Sequence, residues 1–275
     1  MVNKNKIDKL LKELKLSNEQ EEIMKRNMEI PVKIIGIGQT GVGKTELLKS
    51  IFRIQKEKID ADSMAYDRIL EKLETGSVKS VTKDFFSFIV TSEEGLKVQF
   101  TDGPGLGESK ELEDKYLKMW IEEIPKHDML YWVLDGSSRD IGHIQENMKY
   151  VLDMTGYRNN LVVVLNKVDQ ILLPQDQELK GMIGWDTDFN QPTKNLLKLI
   201  NHRTDDIIEK LIDYVSLTKD QIVICSARKR WNHGLVLDKM LEYLPEAVRI
   251  KASLNREVKD PTELMSLKGK KKLFK

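Results

Sequence analysis

Apolar residues in this chain gather in two kinds of run. The first kind is short and nearly unbroken: "KIIGI" (33–37), "MLYWVLD" (129–135), "LVVVLNK" (161–167) and "QIVICSA" (221–227). Unbroken apolar runs of this length predict strands covered on both faces. Two further segments, "DFFSFIVT" and "LKVQFTD", are separated by "SEEG" and predict a hairpin. The second kind has helical spacing and fills the gaps, over 45–52 and roughly 109–124, 142–155, 193–215 and 235–247. A further helix is expected around Tyr66–Leu73, inside the polar stretch 55–83. Strands alternating with helices predict an α/β fold: a mostly parallel six-stranded sheet with helices on both faces, the hairpin giving one antiparallel edge.

The two ends have a different character. Ile7, Leu10, Leu11 and Leu14 share one helical face, Ser17 or Asn18 can cap a second helix, and Pro31 closes the region. We read residues 1–30 as an N-terminal helical arm packed on the main domain, with a partner-binding or dimerising arm as the alternative. Residues 31–248 form the central domain. Residues 249–275 hold nine Lys or Arg against three acids, so this extension carries +6 within a chain of net charge +1. It reads as a solvated basic end, and contact with RNA or an anionic membrane surface is the sharper alternative.

Composition narrows the picture only a little. The 275 residues suffice for a large core, and a net charge of +1 gives no global electrostatic argument for nucleic acid or membrane. The single cysteine, Cys225, excludes an internal disulfide framework and fits a reducing compartment. Apolar runs stay well below the ~18 residues of a membrane span, and lysines interrupt every apolar pair of the N-terminus. A soluble cytoplasmic protein is expected.

The chemistry concentrates at "GQTGVGKTELL", which lies between the first expected strand and the first expected helix. Gly38, four residues, then Gly43-Lys44-Thr45 satisfies G-x-x-x-x-G-K-[ST] in full and in the required context. Glycine lets the backbone approach phosphate oxygens that a side chain would block. The N–H groups then face the anion at a helix N-terminus. Lys44 reaches the β and γ oxygens, and the Thr45 hydroxyl is placed for Mg2+. Asn166-Lys167-Val168-Asp169 follows the apolar run Leu161–Leu165, at the end where doubly wound sheets bind ligands. A carboxylate there accepts from guanine N1–H and its exocyclic amine. Adenine offers neither donor and would leave a buried charge unpaired.

With "GQTGVGKT", "DGPG" (102–105), "NKVD" (166–169) and "CSA" (225–227) in place, the chain resembles the translation-factor-related GTPases. "DGPGLGES", "LYWVLDG", "VVLNKVDQI" followed by "GWD", and "ICSARKRWNHGL" are most similar to Era-like members, especially the bacterial YfjP/YkfA-like group. The resemblance covers about 33–244 and makes the central domain a GTPase (G) domain. It implies GTP/GDP and Mg2+ as ligands. The implied nucleotide contacts are Gly38, Gln39, Thr40, Gly41, Val42, Gly43, Lys44, Thr45 and Glu46, then Asn166, Lys167, Asp169, Ser226 and Ala227. The implied Mg2+ ligands are Thr45, Asp102 through water, and a switch threonine, read as Thr82 with Thr75 and Ser80 as alternatives. Lys44, Thr82 and the Gly105 N–H are the groups expected to act on the γ-phosphate.

Where Ras-like proteins carry a water-orienting glutamine after D-x-x-G, this chain has Leu106, which forms no hydrogen bond to water. The phosphate-loop asparagine that holds K+ in some Era-like members is replaced by Gly41. Two readings stay open at this point. The first is a Mg2+-dependent GTPase switch, slow alone and accelerated by a homodimer across the G domains or by an effector protein. The second is a nucleotide-gated assembly module with little turnover. An RNA- or ribosome-associated GTPase is a third reading, by analogy. Glu108, Ser109, Lys110, Arg53 and Lys56 are weaker candidates for charge or water placement. Trp185 and Trp231 flank the base-side loops, with Trp231 read as packing, and His127 is read as structural.

Overall fold

The computed structural model describes residues 30–59, 71, 84–91, 97–107, 110–138, 141–173 and 184–245. The N-terminal arm, the basic extension, Thr75, Ser80, Thr82, Glu108 and Ser109 lie outside these residues. So does the stretch around Tyr66–Leu73, apart from helical Glu71.

The expected α/β fold is present. The main sheet has six strands: β1 (Val32–Gly38), β2 (Phe86–Thr91), β3 (Lys97–Asp102), β4 (Met129–Asp135), β5 (Leu161–Asn166) and, numbered after a small hairpin, β8 (Ile222–Ile224). Their spatial order is β2-β3-β1-β4-β5-β8. Only β2–β3 is antiparallel, with Phe86 opposite Asp102 and Thr91 opposite Lys97. The parallel ladders bring the C-terminal ends of β1, β3, β4 and β5 to one rim, pairing Gly36 with Asp102, Gly38 with Val133 and Asp135 with Asn166.

Burial on both faces explains the unbroken apolar runs. Successive β4 residues divide cleanly, with Met129, Tyr131 and Val133 on one face and Leu130, Trp132 and Leu134 on the other. The first face packs under α1 (Lys44–Ile59) through Leu47, Leu48, Ile51 and Phe52. It also packs under α5 (His233–Glu242) through Val236 and Met240. The second face is covered by α2 (Lys110–Glu123), α3 (Gly142–Thr155) and α4 (Lys194–Val215). All six residues of β5 are buried, and each such Val or Leu contributes about 2 kcal/mol relative to exposure. Gly36 has no alternative to glycine here: a Cβ would fall 2.1 Å from the Tyr131 ring.

Helix ends follow local chemistry. Thr193 caps α4 by accepting the Leu196 N–H, and Gly156 ends α3 in the left-handed region at φ 72°. Helices α2, α3 and α4 agree with the sequence reading to within a residue or two. Helix α5 begins two residues earlier than expected and ends at Glu242. Strand β8 is shorter than the run 221–227, because Cys225–Ala227 leaves the sheet to form a loop. A two-stranded hairpin, β6 (Trp185–Asp186) and β7 (Gln191–Pro192), is an element the sequence reading lacked. Among the described residues, no helix is long and apolar enough to cross a membrane.

Candidate nucleotide-binding site

The loop 38–43 leaves the end of β1 and enters α1 at Lys44. Gly41 and Gly43 have φ of 79° and 92°, conformations that side chains resist. At Gly43 space is also excluded, since a Cβ would lie 2.5 Å from Asn166 Nδ2. The Lys44 ammonium donates to the carbonyls of Gly38 (3.1 Å) and Gln39 (3.3 Å), so the loop curls around its own cation.

At the adjoining strand end, Thr45 Oγ1 donates to Asp102 Oδ2 at 2.8 Å. Burial raises the Asp102 pKa above the ordinary carboxylate value, against the opposing pull of the Lys44 charge and the Thr45 hydrogen bond. A buried carboxylate beside a hydroxyl is a hard-oxygen donor set, the kind a Mg2+ ion takes. Thr101, the preceding residue, is fixed by His127, whose Nε2 lies 2.7 Å from Thr101 Oγ1 while its Nδ1 donates to the Glu123 carbonyl. Burial lowers the His127 pKa, which keeps this imidazole neutral.

Gly105 lies directly against the phosphate loop. A Cβ there would fall 2.2 Å from Thr40 Oγ1 and 2.8 Å from the Thr40 backbone. Leu106 then forms a parallel bridge with Gln39: Leu106 N–H donates to Gly38 O (3.1 Å) and Thr40 N–H to Leu106 O (2.9 Å). The Leu106 side chain is 1% exposed and packs with Ile35, Ile37 and Trp120. Sequence reasoning identified the missing glutamine but not that its replacement points into the core.

The base-side loops meet through one amide. Asn166 Nδ2 donates to Val42 O of the phosphate loop at 3.0 Å, and its Oδ1 accepts the Ala227 N–H at 2.9 Å. Asp169 Oδ1 accepts from Ser226 Oγ at 2.6 Å. Lys167 takes the left-handed region at φ 64° and pairs with Asp135 at 2.9 Å. Burial alone would raise the Asp135 pKa, but hydrogen bonds from Ser137 and the Lys167 charge outweigh it and leave the carboxyl below its ordinary value. Asp135 was missed in the sequence, where it reads simply as the last residue of a strand.

Two further residues brace the base loop, His233, which the sequence reading gave no role, and Trp185, which it placed beside the base-side loops. His233, 1% exposed, sits 3.2 Å from Ser50 Oγ of α1 and hydrogen-bonds the Ser226 backbone. Trp185 of the small hairpin meets Trp231 edge to face at 6.0 Å, with Lys229 Nζ 5.6 Å from the Trp185 ring. Trp231 in turn exchanges two backbone hydrogen bonds with Ser226, consistent with a packing role.

Thus the phosphate-loop residues, Asp102, Gly105, Asn166, Lys167, Asp169, Ser226 and Ala227 converge on one rim of the sheet. This is the fold of the P-loop GTPases. Residues 33–167 match the model of the family described as 50S ribosome-binding GTPase. The chain is 22% identical over 216 residues to YfjP of Escherichia coli (strain K12), covering 77% of this chain and 62% of that protein. It is 22% identical over 214 residues to the tRNA modification GTPase MnmE of Mycoplasma genitalium, covering 75% of this chain and 44% of that one. The chain thus spans less than two thirds of the length of these curated relatives. Among solved structures it is similar to a GTP-binding protein from Sulfolobus solfataricus in complex with GDP. That likeness has a TM-score of 0.43 and 20% identity, covering 90% of this chain and 58% of that one.

Proposed function

We propose that the chain binds GTP with Mg2+ and hydrolyses it to GDP and phosphate, using the γ-phosphate to hold a conformational switch. The observation that carries this reading is the Asn166 amide, which ties the phosphate loop at Val42 to the base loop at Ala227. One side chain thereby sets the spacing between a triphosphate cradle and a guanine-selecting carboxylate.

In this reading the loop N–H groups of Gly41–Thr45 receive the phosphates, and Lys44 turns from the carbonyls of Gly38 and Gln39 towards the β and γ oxygens. Thr45 and Asp102 would hold Mg2+, with Thr82 joining them in the GTP state, and the ion supplies neutralisation of phosphate charge. Gly105 offers its N–H to the γ-phosphate. Asp169 exchanges its Ser226 contact for the guanine edge, and the Lys167 stem lies along the base, its head anchored by Asp135. Membership of the Era-like branch belongs to this proposal, as do acceleration by pairing of two G domains or by an effector protein.

Titration calorimetry with Mg2+ tests the base assignment. Asp169→Asn should shift preference from GTP towards xanthosine triphosphate by at least about tenfold, since the xanthine C2 oxygen replaces a donor with an acceptor. Equal preference in variant and wild type, or binding of ATP with no response to GTP, would remove the reading.

A further inference from the structure

The start of the second switch, Gly105-Leu106-Gly107, has no polar side chain. The first and third residues are glycines, and Leu106 is held in the core. Whatever orients the attacking water must come from elsewhere. The phosphate loop offers two polar side chains to this segment. Gln39 is half-buried and runs along Gly107, its Nε2 3.5 Å from where a Cβ on that glycine would lie. That position is beyond Leu106, two residues past Gly105. Thr40 is solvent-exposed, and its hydroxyl lies over Gly105 itself, 2.2 Å from where a Cβ would be.

Resting on the GTPase reading above, we propose that the Thr40 hydroxyl positions the hydrolytic water in place of the side chain that Leu106 cannot provide. Three observations converge. Absence of a side chain at Gly105 admits the threonine, whose backbone would otherwise collide with a Cβ at 2.8 Å. The paired backbone bonds Thr40 N–H to Leu106 O and Leu106 N–H to Gly38 O fix the threonine in register with the D-x-x-G turn. Burial of Leu106 anchors that turn from beneath, so Thr40 and Gly105 move as one body. A γ-phosphate received by the Gly105 N–H would therefore have the Thr40 hydroxyl nearby.

A threonine hydroxyl is both acceptor and donor. It accepts a hydrogen bond from the water and donates a hydrogen bond to a γ-oxygen, spanning nucleophile and electrophile. The water oxygen bonds to the γ-phosphorus while the bond from that phosphorus to the β–γ bridging oxygen breaks, and GDP leaves with that electron pair. The water proton passes to a phosphate oxygen, so Thr40 ends as it began, a neutral hydroxyl. Its contribution is orientation of the nucleophile.

The test separates binding from turnover. Affinity for a fluorescent guanine nucleotide and single-turnover GTP hydrolysis are measured with Mg2+ across a range of protein concentrations, for wild type, Thr40→Val and Thr40→Ser. Valine keeps the shape and removes the hydroxyl; serine keeps the hydroxyl. The expected result, with nucleotide saturating for each protein as judged from its own measured affinity, is a rate at least about tenfold lower for Thr40→Val and a rate close to wild type for Thr40→Ser. Turnover by Thr40→Val equal to wild type overturns the assignment. So does a wild type that binds GTP yet turns over none at any concentration. A wild type that binds no guanine nucleotide strikes the underlying functional reading instead.

Discussion

Asn166 is the residue on which the site's geometry converges, although its own side chain is only a neutral amide. It is 2% exposed, with both ends of the carboxamide engaged: Nδ2 on Val42 O and Oδ1 on Ala227 N–H. Asn166→Ala leaves a buried carbonyl and a buried N–H without their partner. Orphaned buried groups cost about 1–3 kcal/mol each, so urea denaturation should register a loss of about 2–6 kcal/mol. The same variant should weaken GDP and GTP alike, because the spacing of the two half-sites is disturbed rather than one contact to a phosphate. A stability equal to wild type would mean the amide is not under this constraint. From sequence, Asn166 was legible as part of "NKVD", and its place at the end of a buried strand was legible too. Its grip on Val42 was not, because that bond spans 124 positions and depends on the glycine at 43 leaving room for the amide.

Elements were legible in proportion to their length and their burial. Strands β1, β4 and β5 are covered on both faces and show as unbroken apolar runs; α4, at 22 residues, shows a repeated apolar spacing. The hairpin β6–β7 was missed because strands of two residues have no period to detect, and its stability comes from other sources. Asp186 Oδ1 accepts the N–H groups of Asp188 and Phe189, Asn190 turns the chain at φ 50°, and Asn190 Nδ2 donates to Lys229 O. Sheet order was hidden for a different reason: local pattern says that a segment pairs, not with which strand. The hairpin's contact with the base loop leads to a prediction at this scale. Trp185→Ala removes the edge-to-face contact with Trp231 and the ring beneath Lys229, for a cost of about 2 kcal/mol at this half-buried site. Loop 225–231 then loses its outer support, and dissociation of a fluorescent GDP should accelerate several-fold. An unchanged dissociation rate would show that the hairpin merely rests on the loop.

At the scale of the whole molecule, the two halves of the site are also joined beneath the surface, through His233. This imidazole lies between Ser50 of α1 and the Ser226 backbone, with Arg230 as the nearby charge. Burial, reinforced by Arg230, lowers its pKa from 6.5 to about 4. The unfolded chain therefore binds a proton between pH 6.5 and 4 that the native protein refuses. Stability supplied by the neutral ring is fully present above pH 6.5 and is lost as pH falls towards 4. From pH 7 to pH 5 the loss from this one group is about 2 kcal/mol. His127, lowered by burial in the same direction, adds to it. Asp102 acts oppositely, since its raised pKa lets the native state take up a proton first as acidity increases. The depressed Asp135 pKa contributes only further down, as pH falls below the ordinary carboxylate value. Urea titrations at pH 7 and pH 5 on wild type and His233→Gln isolate the His233 share. Whatever its stability at pH 7, the variant should lose about 2 kcal/mol less over that interval, because glutamine cannot titrate. Equal slopes in the two proteins would mean that His233 takes up its proton as readily in the native protein as in the unfolded chain, so that the contact between α1 and the base loop does not require the neutral ring.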